Sequence, residues 1–140
     1  MRIAIIATYT HPSRLPIKEL SVMQSAVPEL IAGLCPDYAD VELYYEKETD
    51  IPMDRDWDIV FFSYLHSYYE HTKILSTLFR QRGMTTVAGG RHANYFPDDC
   101  NQFFDSVITG DPEANVPALI RDFERGELKR RYAARAPSSG

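Results

Sequence analysis

Cysteine is scarce in this chain. There are two among 140 residues, Cys35 and Cys100. No Cys-x-x-Cys pair exists, which excludes a zinc site or an iron–sulfur cluster built within this chain. Two reduced, semi-buried thiols are expected instead. Long apolar runs are also missing. Ile3–Ala7 and Ile59–Phe62 fall far short of the ~20 residues that cross a bilayer. Arg2 followed by a short apolar run without a small-residue cleavage site does not match a secretory signal. Cationic excess is absent too. Lys plus Arg number 15 and Asp plus Glu 20, a net charge of −5. Nucleic acid and anionic membrane are bound through clustered cations, so neither is expected as a partner. A cytoplasmic location is expected. The 44% hydrophobic and 25% charged content excludes a disordered chain. With no internal repeat, the length predicts one domain, placed at residues 1–132, with 133–140 as a flexible tail or linker.

Apolar periodicity predicts alternating strands and helices. Met1–Thr8 is a continuous Ile-rich run, the pattern of a central strand buried on both faces. Leu20, Met23, Val27, Leu30, Ile31 and Leu34 form a helical stripe over Ile17–Leu34, in which Pro28 predicts a kink. Val41–Glu46 is a more polar strand expected at an edge, and Asp58–Tyr64 is the most apolar strand. Ser67–Arg82 is a helix with Tyr68, His71, Ile74, Leu75, Leu78 and Phe79 inward. Thr85–Ala88 is a fourth strand, Pro97–Phe103 a short helix, Ser106–Thr109 a fifth strand and Pro112–Arg125 the last helix. This alternation predicts an α/β fold, a flavodoxin-like (Rossmann-like) three-layer sandwich on a five-stranded parallel sheet of order 2-1-3-4-5. Ligands of such sheets bind beyond the carboxyl ends of the strands. Four loops are therefore candidates: Thr8–Arg14, Ser63–His66, Gly89–Tyr95 and Gly110–Glu113.

Gly89-Gly90-Arg91-His92 follows the fourth strand, and paired glycines there serve either a close ligand or a tight turn. In Gly110-Asp111-Pro112-Glu113, helix capping accounts for Asp111, Pro112 and Glu113. Gly110 is left over, and it removes a side chain beside the crevice. Ser63 ends the third strand with a small hydroxyl. Thr8, Thr10 and Ser13 surround His11 and Arg14 but lack the glycine of a phosphate loop. No acid, base and nucleophile fall at catalytic spacing, so the chain alone is not expected to be catalytic. A receiver domain is excluded, because Ala7-Thr8 and Ser63 stand where its acidic residues would be.

Asp58-Ile-Val-Phe-Phe-Ser63, Gly89-Gly-Arg-His92, Phe96-Pro97 and Asp105-Ser-Val-Ile-Thr-Gly110-Asp-Pro-Glu113 occur in order. Together they resemble the N-terminal cobalamin-binding domain of B12-dependent radical SAM proteins, over roughly residues 1–130. The resemblance implies a corrinoid above the strand ends, its nucleotide tail in the sheet–helix crevice, and a radical SAM catalytic domain as partner. It implies cofactor contacts at Thr8, His11, Ser63, Gly89, Gly90, His92, Gly110 and Glu113. His11 is in register with the cobalt-ligating histidine of Asp-x-His-x-x-Gly, but Tyr9 and Arg14 replace the motif's Asp and Gly, so the carboxylate that would orient an imidazole is absent. On this reading Gly110→Leu closes the tail slot and leaves the fold intact. Two alternatives stay open: an interaction domain whose crevice is filled by Tyr64, Tyr68, Tyr69, Tyr95 and Phe96, and an FMN-binding domain using the hydroxyls of the first loop.

Overall fold

Ile3, Ile5 and Ile6 carry no exposed surface, as a strand covered on both faces requires. They belong to β1 (Arg2–Ala7), at the centre of the sheet. In the computed structural model the described residues are 1–10 and 27–135. The sheet is parallel and has six strands, in the order β2 (Asp40–Tyr45), β1, β3 (Ile59–Ser63), β4 (Thr85–Gly89), β5 (Ser106–Ile108) and β6 (Arg131–Tyr132). The expected order 2-1-3-4-5 is therefore extended by one strand, and the count of five is corrected to six. β6 is two residues long and carries no periodicity of its own. It is held by backbone bonds from Val107 N–H to Arg130 and from Thr109 N–H to Tyr132, 2.9 and 2.8 Å. Beyond Tyr132, where the expected domain ends, Ala134 remains hydrogen-bonded to Asp111 and Asn115.

Alternate strand residues divide the core. Ile3, Ile5, Ile59, Phe61, Val87 and Ile108 pack beneath α1 (Val27–Leu34) and α5 (Pro112–Glu124) through Ile31, Val116, Leu119 and Ile120. Ala4, Ile6, Val60, Phe62, Ala88 and Val107 face α2 (Tyr69–Gln81), α3 (Arg91–Tyr95) and α4 (Pro97–Phe103), meeting Leu75, Phe79, Ala93, Cys100 and Phe104. A single 3-10 turn, His66–Tyr68, leads into α2. Pro28, where a kink is expected, is buried in α1 next to the first described residue of that helix. The helix stretch expected before Val27 lies outside the described residues.

The inward face of α2 differs from expectation. Tyr69, Thr72, Leu75, Ser76 and Phe79 are buried, while Ile74 and Leu78 are exposed. Two polar residues occupy the core because each is bonded there. Thr72 donates to the Tyr68 carbonyl and meets the Thr8 hydroxyl, both at 2.8 Å. Ser76 reaches the Thr86 hydroxyl and the Phe103 carbonyl at 2.8 and 2.7 Å. Buried hydroxyls are tolerated when paired in this way.

Asp58 and Asp105 precede β3 and β5 and lie at the amino ends of the sheet. The Asp58 carboxylate accepts from Arg2 N–H at 2.7 Å and the Asp105 carboxylate from Thr86 N–H at 2.9 Å. Each aspartate fixes the register of the neighbouring strand, at the end opposite the candidate ligand loops.

Candidate functional site at the carboxyl ends of the strands

The period of two along a strand sends Phe61 and Ser63 of β3, Val87 and Gly89 of β4, and Ile108 of β5 to one face. Beyond their carboxyl ends lies a cavity of about 560 Å³. Val27 and Ile31 of α1 and Pro112 and Val116 of α5 form its walls, and Gly90, Arg91, Asn94, Tyr95, Gly110, Asp111 and Arg135 border it. Its volume falls within the ~300–1,000 Å³ of small-molecule sites, and it shares their largely apolar lining.

Four expected site residues meet here: Ser63, Gly89, Gly90 and Gly110. The three glycines serve different purposes. Gly90 has φ of 106°, so its need is conformational. Among the described residues, a Cβ on Gly89 would meet only Ile108, at 3.7 Å from its Cβ and 4.0 Å from its carbonyl oxygen. Its missing side chain therefore leaves space in the cavity. A Cβ on Gly110 would stand 2.0 Å from the Ala134 carbonyl oxygen and 2.6 Å from Asn115 Nδ2. This corrects the expectation for Gly110→Leu: that side chain would strike the segment after β6, so the fold could not stay intact. The Ser63 hydroxyl makes no hydrogen bond with the described residues, although its carbonyl accepts from Thr8 N–H at 3.0 Å.

The other candidates lie elsewhere. Thr8 is buried on the α2 side, its hydroxyl committed to Thr72. Glu113 is exposed in the first turn of α5 and does not line the cavity. Asp111 occupies the N-cap position without a side-chain bond to the helix amides. His11 lies outside the described residues. His92 is buried on the opposite face of the sheet, 3.0 Å from the Tyr64 hydroxyl and 3.6 Å from Cys100 Sγ, with its ring centroid 4.0 Å from that of Tyr69. Burial, and next the neighbouring His66, hold the His92 pKa below its ordinary value. Burial likewise pushes the Tyr64 and Tyr69 phenols and the Cys100 thiol upward, which keeps this cluster uncharged near neutral pH. Tyr64, Tyr68 and Tyr69 thus pack on the α2 side and do not fill the cavity. Tyr95 lines it and is 73% exposed, beside the half-exposed Phe96.

Arg135 and Asn115 were not among the sequence candidates. Asn115 is buried, donates to the carbonyls of Asp111 and Ala134 at 2.8 and 2.7 Å, and accepts from Ala134 N–H at 3.0 Å. It clamps the segment that ends at Arg135. An asparagine inside a helical stripe is the signal that marks it. Among the described residues no group of three or more His, Cys, Asp or Glu is placed to hold a metal ion, and no helix is long and apolar enough to cross a membrane.

The fold and the cavity together define a parallel α/β domain, consistent with the flavodoxin-like class, that offers a ligand-sized cavity at the strand carboxyl ends. No family model matches the chain. The chain is 28% identical over 104 residues to the bacteriochlorophyllide d C-8(2)-methyltransferase of Chlorobaculum tepidum, a match that covers 74% of this chain and 23% of that protein. The chain thus spans about a quarter of that relative's length. Among solved structures, the N-terminal domain of the hypothetical protein TM0182 of Thermotoga maritima is similar at 26% identity with a TM-score of 0.48, covering 82% of this chain and 88% of that one.

Proposed function

We propose that this chain is a corrinoid-binding module that presents cobalamin to a radical SAM catalytic domain carried elsewhere, in a reaction of the methyl-transfer class. The observation that carries this reading is the open cavity whose floor is Ser63 and Gly89. A side chain of ordinary size at 89 would fill part of it. A whole corrinoid is larger than this cavity, so the fit is to its narrow nucleotide tail, with the wide ring lying outside over the strand ends. Ile31, Phe61, Val87, Ile108 and Val116 would exclude water from the aromatic base of the tail. The Ser63 hydroxyl would supply a hydrogen bond to its polar part. The similarity to a methyltransferase, over a quarter of that protein, supports an accessory role beside a catalytic domain. A bound corrinoid supplies the group-transfer chemistry at cobalt that side chains lack.

The test is incubation with hydroxocobalamin followed by gel filtration. The protein peak is expected to carry the visible corrinoid bands in a ratio near one per chain. A colourless protein peak contradicts the proposal. FMN treated in parallel is expected to be lost on the column. Retained yellow flavin with no retained corrinoid would favour the FMN alternative.

A further inference from the structure

Most of the cavity is apolar, yet two guanidinium groups border it. Arg91 opens α3 directly after Gly90, and Arg135 follows the segment clamped by Asn115. Both are exposed, and neither has an ion-pair partner among the described residues. Arg2, Arg55, Arg80, Arg82 and Arg131, by contrast, are each paired with a carboxylate. Among the described lining residues Asp111 is the one carboxylate, so the described part of this rim carries an excess of positive charge on a chain whose net charge is −5. The backbone leading into each arginine is also fixed. The positive φ of Gly90 turns the chain into α3. Ala134, adjacent to Arg135, makes hydrogen bonds to Asp111 N–H and to both ends of the Asn115 amide. Guanidinium groups match phosphate oxygens with paired N–H donors, which a compact ammonium does not.

We infer that Arg91 and Arg135 form an anion-recognition pair at the cavity rim, selecting a ligand whose aromatic end is buried against Ile31, Phe61 and Val116 while its phosphodiester stays at the mouth. The inference rests on the corrinoid reading, because the nucleotide loop of cobalamin joins an aromatic base to the ring through such a linkage. It adds what that reading lacks: the charged groups that recognise the phosphodiester of the tail.

The experiment titrates hydroxocobalamin and cobinamide, which lacks the nucleotide loop and its phosphate, into the full chain and into the Arg91→Gln/Arg135→Gln variant. Both positions are exposed, so the far-UV spectrum and melting temperature of the variant are expected to match the parent's. The parent is expected to prefer hydroxocobalamin. The variant is expected to lose affinity for hydroxocobalamin by roughly tenfold or more, the scale of a lost charge-assisted hydrogen bond, with cobinamide binding not weakened. Raising the salt concentration should weaken hydroxocobalamin binding in the parent more than in the variant. Equal effects on both corrinoids, or none on either, overturn the inference and leave the corrinoid reading standing. Failure of the parent to bind either corrinoid overturns both.

Discussion

Gly89→Leu is expected to weaken hydroxocobalamin binding by roughly ten- to a hundredfold, the effect of ~1–3 kcal/mol of overpacking in a filled site, while the protein melts as the parent does. The backbone permits the change. Gly89 is not among the glycines with positive φ, and a Cβ there makes only an ordinary contact with Ile108 at 3.7 Å. Its ladder partners, Ser63 and Ile108, use backbone groups that leucine also has. The new side chain would stand on the face that Val87 shares and take up cavity space that the ligand needs. Gly89→Ala adds one carbon and is expected to bind nearly as well as the parent, so the pair reports on volume. Isothermal titration of both variants checks this. Parent-like affinity in Gly89→Leu would remove the cavity from the account.

Gly110→Ala is expected to destabilise the fold by about 2–4 kcal/mol, the scale of one or two buried hydrogen bonds left unmade. The melting temperature should fall by roughly 10 °C. An added Cβ would meet the Ala134 carbonyl oxygen at 2.0 Å and the Ala133 carbonyl carbon at 2.9 Å. Neither is the end of a flexible side chain, so the segment after β6 must move. That movement breaks the bonds of Ala134 with Asp111 N–H at 3.2 Å and with the Asn115 amide at 2.7 and 3.0 Å. Asn115 is buried and has no solvent to turn to. Thermal melts of Gly110→Ala and Gly89→Ala side by side separate the two roles, since only the first should fall. A Gly110→Ala protein that melts with the parent would mean that residues 133–135 do not pack against this glycine.

The alternation of apolar runs makes the parallel sheet and its first five strands legible, because the inner strands β1, β3, β4 and β5 are largely buried and each long helix buries one face. β6 was not legible, since two residues carry no period and its pairing depends on the return path from α5. The inward face of α2 departs from its apolar pattern for a definite reason. Thr72 and Ser76 are polar yet buried, and their partners, Thr8, Thr86 and Phe103, are distant in sequence. Ile74 and Leu78 were expected inside and lie outside. At the site, Ser63 and Gly89 were readable from their places at strand ends. His92 follows the glycine pair in sequence, but the helical turn of α3 carries it to the opposite layer, into the Tyr64 and Tyr69 cluster. In the sequence Gly110 offers space for a ligand, and the structure fills that space with the chain's own Ala134 carbonyl. The resemblance motif also divides: its aspartates, Asp58 and Asp105, set strand register at one end of the sheet, and its small residues shape the cavity at the other.

Amide chemical-shift mapping of the labelled 16.0 kDa chain on addition of hydroxocobalamin tests the central claim most directly. The account predicts saturable shifts at Ser63, Gly89, Gly90, Ile108 and Gly110, with Thr72, Ser76 and Cys100 on the opposite layer unmoved. Shifts confined to that opposite layer, or none at saturating ligand, would contradict it.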